Sequence, residues 1–226
     1  QIAVHPLPHG MAEELLRGVL GDGADVARLR AQLIERTEGN PFFLEESVRH
    51  LVETGALSGE HGAYRVGRGA DTVDVPATVQ ALLAARIDRL ALEDKRVLQC
   101  AAVIGKDVPL PLLEAIADVS DDDLRRSVHQ LQAAEFLYET SLFPVFEYTF
   151  KHALTLDVAF GTLLQDRRRA LDARLVAAIE GLSGERTIDQ VERLAHHAFR
   201  GSVWDKAVAY CREAGARAFA RSAHRT

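Results

Sequence analysis

A chain of 226 residues has room for one or two compact cores, and 47% hydrophobic residues is ordinary for a globular protein. A formal net charge of −6 argues against a dominant nucleic-acid surface, since phosphate binding needs clustered Lys and Arg, though a small basic patch stays compatible with it. No apolar run approaches the ~18 residues of a membrane span, no signal peptide is legible and the first residue is Gln1, so the chain reads as a fragment of a longer cytoplasmic protein.

Ile2, Val4 and Leu7 alternate before Pro8, like the tail of a strand. Helices are predicted at about 11–20, 26–37 and 41–54, with Gly21 and Gly23 punctuating the first gap. Leu29, Leu33 and Ile34 close one helical face, and Gly39 then offers a C′ residue free to take φ > 0. Pro41 follows, where its fixed φ and missing N–H suit the first turn of a helix. Phe42, Phe43, Leu44, Val48, Leu51 and Val52 form a wide apolar stripe ending at Gly55. From spacing alone, Pro41 does no more than stop one helix and start the next. Leu57 and Tyr64–Val66 flank a Gly-containing turn and predict a short hairpin. Residues 67–74 are polar and Gly-containing, as in a linker.

From Pro76 the period is helical again. Val79, Leu82, Leu83, Arg86, Ile87 and Leu90 mark one helix; Val97, Leu98, Ala101 and Ile104 mark a second, stopped by Gly105. Leu110, Leu112, Leu113 and Ile116 make a short third. Ser120 N-caps a fourth, with Asp121, Asp122 and Asp123 at the positive end of its dipole and Leu124, Val128 and Leu131 on its buried face. Residues 137–140 and 145–151 then read as two strands, with Phe146, Tyr148 and Phe150 on one face; helices followed by a two-stranded wing is winged-helix order. The remainder is helical, at about 152–165, 167–181, 187–200 and 203–222.

Gly39-Asn40-Pro41-Phe42-Phe43-Leu44-Glu45-Glu46 resembles the Gly-x-Pro corner in the lid of STAND-type NTPases, a branch of the AAA+ P-loop ATPases. The likeness is closest to bacterial signalling proteins that join a class III nucleotide cyclase, a STAND ATPase and tetratricopeptide repeats, with maltose-regulator-like LuxR regulators as relatives. Val75–Leu90, Tyr148–Leu154 and Trp204–Tyr210 add to it in the right order, so that the resemblance covers almost the whole chain. It implies a mainly α fold in three parts: the end of the ATPase core plus a helical AAA+ lid (1–75), a winged helix with a small β-wing (76–151), and an α-helical repeat-like segment (152–226) in which Trp204, Ala207, Tyr210 and Ala214 resemble the first helix of a tetratricopeptide unit.

A Gly-x-x-x-x-Gly-Lys-Ser/Thr loop is absent, as is a strand ending in paired acidic residues to hold magnesium. By itself, then, the chain is expected not to hydrolyse ATP. The resemblance implies a half-site instead: Pro41 packing against an adenine, and His152 reading nucleotide phosphates from the start of the helix after the wing. Lys151 and Ala153 stand where related switch proteins carry Met and Asp around that histidine. The other reading of His152 is a residue that caps the helix. ATP or ADP with magnesium is expected as cofactor of the full-length parent only, an ATPase with an adenylate/guanylate cyclase or a transcription-regulator output. The implied partners are the P-loop core of the same protein and proteins bound through the helical repeats, with neither nucleic acid nor membrane. The rival readings are a DNA-binding winged-helix regulator, using Arg125, Arg126, His129 and Gln130 against the like charge of Asp121–Asp123, and a helical-repeat scaffold. His196 and His197 point about 100° apart on a helix and cannot share one metal, so one faces the core and the other water. Arg167–Arg169 reads as a solvated charge run. Cys100 and Cys211 lie far apart without Cys-x-x-Cys spacing and read as buried free thiols in a reducing compartment.

Overall fold

The computed structural model describes residues 6–67, 75–141, 146–183 and 190–223. The fold is mainly helical, with a few small strands. Two compact units divide the chain, Gln1–Arg89 and Leu90–Thr226. Among the described residues no helix is long and apolar enough to cross a membrane.

The first unit holds α1 (His9–Leu20), α2 (Ala24–Thr37), α3 (Pro41–Glu53), the paired strands β1 (Leu57–Ser58) and β2 (Arg65–Val66), and α4 (Val79–Arg89). Leu16 and Leu20 of α1, Leu29 and Leu33 of α2, Leu44, Val48 and Leu51 of α3 and Leu82 of α4 meet in one core. Their i, i+3, i+4 spacing puts each set on one helical face. Arg30, only 6% exposed, ties α2 to α1: its Nη1 donates to the Gly21 carbonyl at 2.5 Å and its Nε to Glu13 Oε1 at 3.0 Å. The predicted hairpin is present, Leu57 pairing with Val66. Most of the strand expected to end at Leu7 falls outside the described residues. Residues 1–5 lie outside those described, and Leu7 belongs to no strand but donates its N–H to the Gly39 carbonyl at 2.8 Å.

The second unit opens with α5 (Leu92–Ile104), β3 (Asp107–Pro109), α6 (Leu110–Ala117), α7 (Asp121–Ala133), β4 (Leu137–Ser141) and β5 (Glu147–Phe150). The strands form an antiparallel sheet in the order β3-β5-β4. One expectation is corrected: the sheet has three strands rather than two, because Val108 pairs with Tyr148 from a segment too short to show a period of two. A second correction concerns Phe146. It precedes β5 and is 46% exposed, while Tyr148 and Phe150 turn inward. Ser120 caps α7 as expected, its Oγ accepting from the Asp123 N–H at 3.2 Å. Cys100 is buried, and burial pushes its thiol up to about 11; Cys211, against expectation, is exposed.

Four helices follow: α8 (Ala153–Gly161), α9 (Gln165–Ser183), α10 (Val191–Arg200) and α11 (Trp204–Ala223). Leu171, Leu175, Ile179, Leu194, Ala198 and Ala207 are buried among them. A Cβ on Gly201 would lie 2.7 Å from the Ala173 backbone nitrogen, so the α10–α11 corner needs a residue without one. Glu180 on α9 holds α11, accepting from Lys206 Nζ at 2.5 Å and from the Tyr210 hydroxyl at 2.6 Å.

Burial, followed by the hydrogen bond to Glu180 and its charge, pushes the Tyr210 hydroxyl up to about 12. Burial alone would raise the Glu180 carboxyl, but the hydrogen bonds from Lys206 and Tyr210 hold it below its ordinary value. A raised phenol contributes stability that is complete below its unfolded value of 10.0 and is lost as the pH climbs through about 12. The depressed carboxylate acts at the other end, its contribution present above 4.5 and lost as the pH falls through its folded value. A difference titration of the intact chain against Tyr210→Phe is therefore expected to show a tyrosine ionising near 12. A midpoint near 10.0 instead would mean that the Tyr210–Glu180 tie is absent.

Candidate functional site

The Gly-Asn-Pro corner is built as its residue types require, with one shift. The left-handed conformation starts at Glu38 (φ 51°) and continues through Gly39 (φ 75°), so the glycine is the second such residue after α2. Gly39 meets a further demand that spacing did not show: a Cβ there would lie 2.3 Å from the Leu7 carbonyl oxygen. Asn40 caps α3, its side chain accepting from the Phe43 N–H at 3.3 Å, and Pro41 occupies the first turn, where a missing N–H costs nothing. The Pro41 ring is half-buried, while Phe43 and Leu44 turn fully into the core.

Behind this corner lies a charge cluster of which the sequence reading singled out only Arg86, on the buried face of α4. Glu46, Arg49, His50 and Glu53 share one face of α3 at i, i+3, i+4 and i+7. Arg86 and Arg89, three apart on α4, face them. Arg86 and Glu46 are each 2% exposed and directly paired. Arg86 Nη2 donates to Glu53 Oε1 at 2.5 Å, Arg49 Nη1 donates to Glu46 Oε1 at 3.0 Å, and Arg89 Nη2 lies 3.2 Å from His50 Nδ1. Burial by itself would make the Arg86 proton easier to lose. The hydrogen bond to Glu53 and the charges of Glu46 and Glu53 outweigh it and hold the guanidinium above its ordinary value. The signal was legible in retrospect: four polar residues at helical spacing, opposite an arginine inside an otherwise apolar face.

In the second unit, His152 is the N-cap residue of α8. It has extended backbone (φ −138°, ψ 142°), and its carbonyl accepts from the Thr155 N–H at 3.0 Å. Its side chain does not cap the helix's own N–H groups. Lys151, beside it, pairs with Glu135 and lies 6.0 Å from the Tyr138 ring. Pro41 and His152 thus belong to different compact units.

No family model matches the sequence. The chain is 28% identical, over 200 residues and 86% of its length, to an uncharacterized protein of Rhizobium meliloti (strain 1021). It spans 19% of that protein.

The other candidates sort by burial. His197 is 4% exposed and its Nδ1 lies 2.8 Å from Oδ1 of the buried Asp172, while His196 is exposed, the division expected of the pair. A His–Asp pair resembles the orienting half of a nucleophile site, but enclosure leaves His197 no path to a substrate, and its bond joins α9 to α10. Arg168, read as part of a solvated run, instead lies 4.5 Å from the Phe160 ring, with Arg200 at 4.3 Å. Arg167 and Arg169 remain exposed. On α7, Arg126 pairs with Asp123 at 2.5 Å and with Glu93 at 3.5 Å, and Arg125 lies 3.9 Å from Asp122. The face that a DNA-reading winged helix would present is thereby largely neutralised by its own acids. Among the described residues no group of three or more His, Cys, Asp or Glu is placed to hold a metal ion.

Arg86→Leu is expected to destabilise the first unit by about 3 kcal/mol in urea unfolding, because it leaves Glu46 buried without its counter-charge. Arg86→Leu combined with Glu46→Leu is expected to recover most of that loss. A double variant as unstable as the single one would show that packing, not charge, is what Arg86 supplies.

Proposed function

We propose that the chain is the regulatory part of a STAND-type NTPase: lid, winged helix and the start of a helical-repeat array. It relays the ATP or ADP state of a P-loop core lying elsewhere in the parent to an output domain. The observation that carries this reading is the Gly39-Asn40-Pro41 corner. It presents a half-buried proline ring at the start of a helix whose opposite face is locked into a core. Such a ring is a rigid apolar surface of the kind a purine face packs against, and it loses no side-chain freedom on contact. The order of helices and small strands from α5 to β5 and the ordered likeness along the chain support the reading.

In this reading the lid and winged helix close over a nucleotide held by the core with magnesium, and Pro41 and His152 supply the adenine and phosphate contacts. Exchange or hydrolysis releases them as rigid bodies, exposing surfaces for assembly or output. This chain holds no catalytic role of its own. Asp122, Asp123 and Glu93, which pair with Arg125 and Arg126, speak against the DNA-binding alternative.

The test uses the longer polypeptide that carries the P-loop core. Pro41→Ala removes about two buried methylene groups' worth of contact and is expected to weaken nucleotide binding roughly tenfold. His152→Ala is expected to weaken ATP at least as much and to speed its exchange, since a hydrogen bond to a charged group is worth about 1.5–3 kcal/mol. Unchanged affinity and exchange in both variants would remove the proposal.

A further inference from the structure

Inside the second unit, α6, α9 and α10 leave a cavity of about 280 Å³ between them. Pro109 at the end of β3, Pro111 and Leu112 at the start of α6, and Ile179 and Leu182 near the end of α9 form its apolar wall. Leu112 and Ile179 are buried, while Leu182 stands at the mouth, 57% exposed. Gln190 and Arg193 of the α10 segment supply the polar side. All of these elements are interior to the chain.

The two polar groups have capacity that the unit does not use. Arg193 is half-buried, and its Nη2 donates to the Ile104 carbonyl at 3.1 Å. A guanidinium carries five N–H donors, and the carbonyls at the end of a helix answer only about half a charge. Among the described residues Arg193 makes no other hydrogen bond and has no carboxylate within ion-pair distance. Burial makes its proton easier to lose, and the charges of Glu147 and Asp107 offset only part of that. A cation withdrawn from water is stable only when an opposite charge meets it, and here none does. Gln190 is the N-cap residue of α10, yet its side chain makes no capping hydrogen bond, and no other is found among the described residues.

We infer that the cavity binds a small carboxylate with an aliphatic body, the carboxylate held by Arg193 and Gln190 and the body lying against Pro111, Leu112, Ile179 and Leu182. The unanswered guanidinium selects an anion, and the wall selects an apolar one. A carboxylate also suits the planar fork of an arginine, which can hold both oxygens at once. At the packing density of protein interiors the volume takes about ten non-hydrogen atoms, the size of octanoate. A phosphate ester suits it poorly, since its second negative charge would face one guanidinium, with Glu147 and Asp107 near enough to be felt. Such a ligand touches α6, α9 and α10 together and adds a tie between them. The site shares no residue with Pro41 or His152, and it stands whether or not the nucleotide relay does.

Octanoate titrated calorimetrically into the intact chain is expected to bind at a single site with a dissociation constant of about 100 μM, a range open to a ligand of that size. Octanamide, equal in size but uncharged, is expected to bind roughly tenfold more weakly, and acetate, charged but without the body, roughly a hundredfold more weakly. In methyl NMR spectra the resonances of Leu112, Ile179 and Leu182 are expected to move as octanoate is added. Leu182→Glu sets a like charge at the mouth on an exposed side chain, and is expected to weaken octanoate roughly tenfold with the melting temperature unchanged. Arg193→Gln is expected to abolish the preference for octanoate over octanamide. The octanamide comparison and Leu182→Glu decide the matter even where Arg193→Gln fails to fold. Octanamide bound as tightly as octanoate overturns the inference, and so does binding that ignores Leu182→Glu or moves methyl groups elsewhere. Absence of octanoate binding up to roughly 5 mM, far above the expected range, overturns it as well.

Discussion

Arg86 keeps 2% of its surface in water, and the first unit is assembled so that its charge is answered from α3. Taking a guanidinium and a carboxylate out of water costs several kcal/mol each, and their attraction offsets this only when the geometry is good and the remaining donors are used. Arg86 meets both conditions by bridging Glu46 and Glu53, which lie two turns apart on one face of α3. The pair determines the rotation of α3 about its own axis, since any other rotation would bury one of these charges alone. At the other end of the same helix, the Leu7 N–H is bonded to the Gly39 carbonyl. Pro41 therefore starts a helix held at both ends, and a proline ring held that firmly pays little entropy on meeting a ligand.

In the second unit, polar ties again join elements remote in sequence. Asp172 and His197 lock α9 to α10, Glu180 and Tyr210 lock α9 to α11, and Arg193 donates to the Ile104 carbonyl at 3.1 Å, joining α10 to the end of α5. The elements from α5 to β5 and the helices after them are thus stitched by more than apolar contact. That suits the proposed relay, in which the pieces move as rigid bodies, because a segment that deformed internally would dissipate a nucleotide-driven displacement before it reached an output domain.

The positions where reading the chain succeeded and failed follow a physical pattern. Gly39, Asn40 and Pro41 could be read because capping and turn chemistry are local, each residue type answering to its own backbone. The boundaries of α3, α4 and α7 were legible for the same reason. β3 was missed because three residues with one inward side chain, Val108, carry no period. Phe146 was placed with Tyr148 and Phe150 because alternation continues on paper past the point where pairing stops. Cys211 was read as buried because α11 is apolar on two sides, and periodicity cannot say which one meets a neighbour.

The amino-acid sequence by itself determined roughly where most of the helices lie, the mainly α character, and the presence of a proline-bearing corner, because caps, glycines and apolar spacing act over a turn or two. Only the tertiary structure decided that Gly39 must lack a Cβ for the sake of Leu7, that Arg86 is a buried ion rather than a solvated one, and which face of α11 packs against α10. Each of these depends on what a distant part of the chain brings within a few ångströms, and burial and electrostatics at that range are properties of the packed whole rather than of any residue's neighbours along the chain.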